Sequence, residues 1–123
     1  MKPRPAASVL IVDDDPAILK LLSSVLGAAG YEVTEAADGR QAMKLFRERP
    51  SDLMITDLIM PDQEGVETIT KLRRDYPRLK IIAISGAFGG RYLRVAELLG
   101  ADTVLQKPFT PQVLLDTVRK LLG

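Results

Sequence analysis

Three aspartates, a serine and a lysine stand at or just past the ends of short apolar runs. Asp13 and Asp14 follow Val9-Leu10-Ile11-Val12, Asp57 closes the run at Leu53-Met54-Ile55, Ser85 follows Ile81–Ile84, and Lys107 comes after Thr103-Val104-Leu105. Brought together, three carboxylates repel one another, and at neutral pH some take up protons unless a cation intervenes. An all-oxygen set without imidazole suits a hard divalent ion, Mg²⁺ before Ca²⁺, which keeps several of its waters. Lys107 adds a compact positive charge and Ser85 a hydroxyl, both suited to phosphoryl oxygens. Asp57, between a hydrophobic strand and a loop, is placed to act as a nucleophile, with an aspartyl phosphate as product. Catalysis at such a site is mainly positioning and charge neutralisation.

Composition narrows the alternatives. The 123 residues include no Cys and no His. That excludes disulfide scaffolds, thiol catalysis and Cys-ligated metal centres, and removes the commonest general base. With 17 basic and 16 acidic side chains the net charge is +1, so neither nucleic acid nor an anionic membrane is demanded as partner. No apolar run approaches the ~18 residues of a membrane span, and the N-terminus lacks a signal-peptide core, so a cytoplasmic setting is expected. The length fits one domain. Residues 1–7, basic and proline-rich, are expected to form a disordered tail, leaving 8–123 as the folded unit.

The elements that must position the five residues alternate between strand and helix patterns. After Asp13-Asp14-Asp15, the residues Ile18, Leu21, Leu22, Val25 and Leu26 follow helical spacing, with Asp15 as N-cap, Pro16 in the first turn and Gly27 or Gly30 closing the helix. Tyr31–Glu35 alternates apolar and polar, as a half-exposed strand does. A second helix carries Ala42, Leu45 and Phe46 inward, a third Ile69, Leu72 and Tyr76, a fourth Tyr92, Val95, Ala96 and Leu99, and a fifth Leu114, Val118 and Leu121. Five strands alternating with five helices predict an α/β doubly wound, five-stranded parallel sheet. Runs one, three and four are apolar throughout and suit central strands, whereas two and five suit edges, giving the flavodoxin-like order 2-1-3-4-5. Ligands in such a sheet bind at the carboxyl ends of the strands, which is where the polar residues collect. The pairs Arg73-Arg74 and Arg47/Arg49 read as solvated helix faces, and Phe88, Tyr92 and Phe109 as packing residues.

The segments Val9–Asp15 (VLIVDDD), Met54–Pro61 (MITDLIMP), Ile81–Gly86 (IIAISG) and Gln106–Thr110 (QKPFT) resemble the receiver domain of bacterial two-component response regulators, and the resemblance extends from Ser8 to Gly123. It implies a signalling domain whose only catalysis is its own phosphorylation and dephosphorylation. Asp57 would accept phosphate from a histidine kinase or histidine phosphotransfer protein. Asp14 and Asp57 would ligate Mg²⁺ through carboxylates, Ile59 through its backbone carbonyl and Asp13 through water. Ser85 matches the family's switch hydroxyl, Lys107 its phosphate-pairing lysine, and Lys107-Pro108 its cis peptide. The output surface would be helix four, strand five and helix five, toward an unknown output protein. The kinase side would meet Ile18, Leu19, Leu22 and Pro108. No output domain follows in this sequence, so a single-domain regulator or an isolated receiver is expected.

Two positions depart from the family's pattern. Val104 stands where the family has an aromatic residue that swings inward, and valine cannot make that move. Readout would then rest on Ser85 drawing the loop Gly86–Gly90 toward the phosphate. Ile59 and Ala87, at the positions that tune attacking water, are apolar, so slow hydrolysis of the aspartyl phosphate is expected. Two other classes compete with this reading. A dehalogenase-type phosphatase needs an acid two residues after the nucleophile, where this chain has Ile59; a phosphorylation-independent interaction module is the alternative that Val104 favours.

Overall fold

β-branched and leucine-rich runs form three of the five strands, and their largely apolar character places those three in the centre of the sheet. The structure, a computed structural model, describes residues 6–58, 64–86 and 91–122, with the backbone alone at residues 64, 91–93 and 96. The strands are β1 (Ser8–Val12), β2 (Glu32–Ala36), β3 (Leu53–Asp57), β4 (Lys80–Ser85) and β5 (Thr103–Gln106). They alternate with α1 (Pro16–Ala28), α2 (Gly39–Glu48), α3 (Glu64–Asp75), α4 (Arg91–Leu99) and α5 (Pro111–Leu122). All pairings are parallel, in the order β2-β1-β3-β4-β5 expected from the sequence.

Strands β1, β3 and β4 are buried on both faces and feed two cores. Leu10, Val12, Met54, Ile81 and Ala83 point toward α2 and α3, where they meet Ala42, Phe46, Ile69 and Leu72. Val9, Ile11, Leu53, Ile55, Ile82 and Ile84 point the other way, toward Leu19, Leu22 and Leu26 of α1 and Leu114 and Val118 of α5. Each such side chain contributes about 1.5–3 kcal/mol on burial. The sheet is thus covered by helices on both sides, which is why its central strands read as continuous apolar runs.

Helix ends follow the local chemistry. The Asp15 carboxylate accepts the Ala17 N–H at 2.9 Å, and Pro16 opens the first turn. The Asp38 carboxylate accepts the Gln41 N–H at 2.7 Å at the start of α2. Gly30, at φ +97°, turns the chain out of α1 toward β2.

Several side chains sit elsewhere than their spacing suggests. Tyr76 lies one residue past α3 and packs its ring edge-on against Phe46, centroids 4.6 Å apart. Val95 is exposed, because the apolar stripe of α4 is shared between the sheet and the outer surface. Leu19 and Leu22 are core residues rather than partner contacts, while Leu21 of α1 is 55% exposed. Arg73 is no solvated residue either. Its guanidinium bonds the Gly100 carbonyl through Nε (3.0 Å) and Nη2 (2.8 Å), the Pro77 and Leu79 carbonyls through Nη1, and Asp102 through Nη2 (2.8 Å). Arg74 and Arg49 do face solvent, paired with Asp75 and Glu32. Phe109 is half-buried in the core beside α1 and α5, as a packing residue should be; Phe88 and the Tyr92 side chain lie outside what is described.

Candidate functional site

Register alone brings the predicted residues together. Val12 pairs with Thr56 across β1–β3, so Asp13 and Asp57 emerge side by side at the carboxyl edge. Asp57 pairs with Ile84 across β3–β4, and Ser85 pairs with Gln106 across β4–β5, which puts Ser85 and Lys107 at the same edge. Two ladder bonds hold these exits: Asp13 N–H donates to the Ala36 carbonyl at 3.1 Å, and Lys107 N–H to the Ser85 carbonyl at 2.8 Å.

At this edge the Lys107 ammonium lies 3.1 Å from Asp57 Oδ2 and 3.6 Å from Asp13 Oδ2. One carboxylate oxygen from each of Asp13, Asp14 and Asp57 falls within 4.8 Å of the others. Asp13 and Asp57 are buried and Asp14 is exposed, so the cluster is a shallow cup with one rim open to solvent. The Asp13 carboxylate is oriented by the Asp15 N–H, which donates to Oδ1 at 2.9 Å. The residue that caps α1 therefore also fixes Asp13.

Burial pushes the Asp13 carboxyl from 3.8 up to about 6. The neighbouring Asp57 and Asp14 charges add to that rise, against the Asp15 N–H and Lys107. Burial also opposes the charge on Lys107, yet its hydrogen bond and ion pairs with Asp57 and Asp13 lift its pKa above the usual 10.5. Both shifts describe one cup that holds more negative charge than a single lysine neutralises.

Asp13 Oδ2 and Ser85 Oγ are buried without a hydrogen-bond partner among the described residues. Such groups cost about 1–3 kcal/mol each if nothing ever meets them. An all-oxygen donor set whose Asp13 Oδ2 makes no hydrogen bond among the described residues, with the Lys107 ammonium 3.6 Å away, fits a hard divalent cation, and the unbonded Ser85 hydroxyl at the same edge fits an oxyanion. The residues present suit both groups.

Two glycines shape the cup and carry no chemistry the sequence could announce. A methyl added at Gly65, in the first turn of α3, would collide with the Asp57 carbonyl oxygen and lie 2.8 Å from that of Leu58. A methyl added at Gly86 would press on Lys107, 3.1 Å from Cδ and 3.3 Å from Cβ. Their only signal in the sequence is adjacency to Asp57's loop and to Ser85. The Lys107-Pro108 peptide is cis, as the resemblance implied. Val104 is half-buried against the α2–α3 core. Ile59, Ala87 and most of the loop Gly86–Gly90 lie outside the described residues, as do residues 1–5 of the expected tail; Ala7 already accepts the Glu32 N–H at 2.9 Å.

Comparison with known proteins gives one answer. The response regulator receiver domain profile matches residues 9–119. The chemotaxis protein CheY of Thermotoga maritima is 34% identical over 116 residues, covering 92% of this chain and 95% of that protein. The "Probable transcriptional regulator ycf27" of Porphyridium aerugineum is 34% identical over 117 residues, covering 93% of this chain and 47% of that protein. The chain thus spans about half the length of several transcriptional regulators it matches. The crystal structure of chemotaxis protein CheY4 of Vibrio cholerae superposes with a TM-score of 0.88 at 34% identity, covering 95% of this chain and 99% of that one.

Proposed function

Because the chain belongs to the response regulator receiver domain family, a signalling module rather than a classical enzyme, we propose that Asp57 is its phosphoacceptor. The supporting observation is the Asp57 carboxylate held 3.1 Å from Lys107 inside a cup of like charges. A histidine kinase or histidine phosphotransfer protein supplies the phosphoryl group. An Asp57 oxygen forms the new O–P bond as the P–N bond of the donor phosphohistidine breaks, and the imidazole leaves. Lys107 stays protonated and pairs with the incoming phosphoryl oxygens, moving part of its charge away from Asp57. Ser85 supplies the hydroxyl donor that the phosphorylated state needs.

Asp14, Asp57 and the backbone carbonyl of Ile59 would hold Mg²⁺, with Asp13 acting through water, and the ion would supply charge neutralisation of the transferring group. The Asp13 carboxylate, fixed by the Asp15 N–H, would be oriented for that role. Apolar Ile59 and Ala87 leave attacking water without a partner, so the acyl phosphate persists; a lifetime of seconds in the absence of a phosphatase would overturn that point. Output goes through α4, β5 and α5, where Leu98 (81% exposed), Val95 and Val113 offer apolar contact to a partner. On the kinase side, Leu21 and Pro108 are the exposed contacts, with Ile18 partly buried beside them.

The test is intact-protein mass after incubation with acetyl phosphate, with and without Mg²⁺, beside Asp57→Asn. One added phosphoryl group that needs Mg²⁺ and disappears in the variant supports the reading. No adduct, together with no Mg²⁺-dependent rise in Tm, rejects it in favour of a phosphorylation-independent interaction module.

A further inference from the structure

On the face of the sheet away from α1 and α5, helices α2 and α3 border an open groove of about 520 Å³ that the phosphorylation chemistry does not use. Arg40, Lys44 and Arg47 line it from α2 at i, i+4 and i+7, and Lys71 lines it from α3. Glu48 and Glu67 are the acidic members, so cations outnumber acids two to one. Met43, half-buried against the core, gives the groove one apolar contact.

The charge of this surface is left open, as it also is at Lys20, Arg78, Lys80, Arg94 and Lys120 among the described residues. Arg49, Arg73, Arg74 and Arg119 each find a carboxylate within 4.0 Å. Arg40, Lys44, Arg47 and Lys71 make no ion pair or side-chain hydrogen bond among the described residues, although Glu48 and Glu67 border the same groove. Four exposed cations from two helices around one half-buried methionine offer charge complementarity to the acidic face of a helix laid in the groove. We propose that this groove docks an acidic amphipathic helix of a partner protein, with an apolar residue over Met43 and carboxylates against Arg40, Lys44, Arg47 and Lys71. A nucleic acid fits less well, because Glu48 and Glu67 break the positive stripe and no aromatic side chain lines it for base stacking. No polar side chain is left buried and unpartnered in the groove, which argues for a surface read by a macromolecule over a built small-molecule site.

The probe is a synthetic acidic peptide with leucines at helical spacing, titrated into the ¹⁵N-labelled full chain at low salt. A scrambled peptide of the same composition and a thymidine oligonucleotide serve as comparisons. The expected result is amide shifts confined to α2 and the α3 segment around Glu67–Lys71, stronger for the patterned peptide than for the scrambled one. Binding should weaken about tenfold or more in Lys44→Glu, and again in Lys71→Glu on the other helix, with unchanged circular dichroism. Both positions are exposed, and either variant alone keeps the test valid if the other misfolds. Shifts on α4 and α5 instead, no shifts at millimolar peptide, equal response to the scrambled peptide, or tighter binding of the oligonucleotide would each overturn the proposal. Asp57→Asn should leave the titration unchanged, which separates failure here from failure of the phosphoacceptor reading.

Discussion

The two edges of the sheet use the same kinds of charged residue to opposite ends. Where the strands begin, Arg73 spreads its five N–H donors over three carbonyls and Asp102, and Asp102 Oδ2 also accepts the Ile81 N–H at 2.8 Å. Ser8 and Asp52 close the same edge, with Ser8 N–H donating to Asp52 Oδ2 at 2.9 Å. Where the strands end, Asp13 and Asp57 share one lysine beside Asp14, and Asp13 Oδ2 and Ser85 Oγ make no hydrogen bond among the described residues. Saturated polar groups hold the fold; unsaturated ones are held by it and stand ready for a ligand. Stability and chemistry are thus separated by the length of the strands.

The largest effect expected of this contrast falls on the saturated edge. Arg73→Ala removes every donor of that clasp and leaves the carbonyls of Gly100, Pro77 and Leu79 without it, so urea unfolding should show a loss of about 3 kcal/mol. Arg73→Lys should recover less than half of that, since an ammonium lacks the planar fork. A loss under 1 kcal/mol in Arg73→Ala would erase the distinction between the edges.

Next comes the contact that joins α3 to the reactive edge. Gly65→Ala forces the first turn of α3 away from the Asp57 and Leu58 carbonyls, and should cost about 2 kcal/mol and slow phosphorylation by acetyl phosphate. Unchanged stability and rate would mean that the loop gives way freely.

At the unsaturated edge the sign reverses. In the metal-free protein Asp13 binds its proton more tightly folded than unfolded, with a pKa of about 6 against 3.8. The native state therefore carries the extra proton between these values, and this group's stability contribution, complete below the lower one, is lost as pH rises through the upper one. Asp13→Asn should remove that slope and stabilise the metal-free protein by about 1–2 kcal/mol near pH 7.5, while reducing the rise in Tm that Mg²⁺ produces. Parallel pH profiles for the two proteins would sink the assignment of strain to Asp13.

The smallest effect calibrates the others. Arg49 and Glu32 form an ion pair at 2.9 Å with side chains 79% and 55% exposed. Arg49→Ala should change stability by no more than about 0.5 kcal/mol, since exposed pairs are screened by water. A larger loss would show that exposure is the wrong basis for ranking the arginines.

Residue types and spacing were enough to draw the scaffold and to mark the sheet edge where the polar residues collect. Strand composition separated central from edge strands, because burial on both faces keeps β1, β3 and β4 mostly apolar between their ends, with Thr56 the buried exception in β3. Polar residues at the ends of Val9–Val12, Leu53–Ile55, Ile81–Ile84 and Thr103–Leu105 marked one edge, since parallel strands must all finish on the same side. Helical starts at Asp15 and Asp38 were local chemistry, and the first was legible as such. Which of two adjacent arginines is held and which is solvated follows from the fold. Arg73 and Arg74 are indistinguishable by type and neighbour, and the difference lies in the carbonyls that Gly100, Pro77 and Leu79 bring to one of them. Likewise Asp13 and Asp14 are adjacent and of one type, and it is the fold that buries one and leaves the other open at the rim of the same cup. Residue type and spacing are properties of the chain; burial and satisfaction depend on partners that are distant along it.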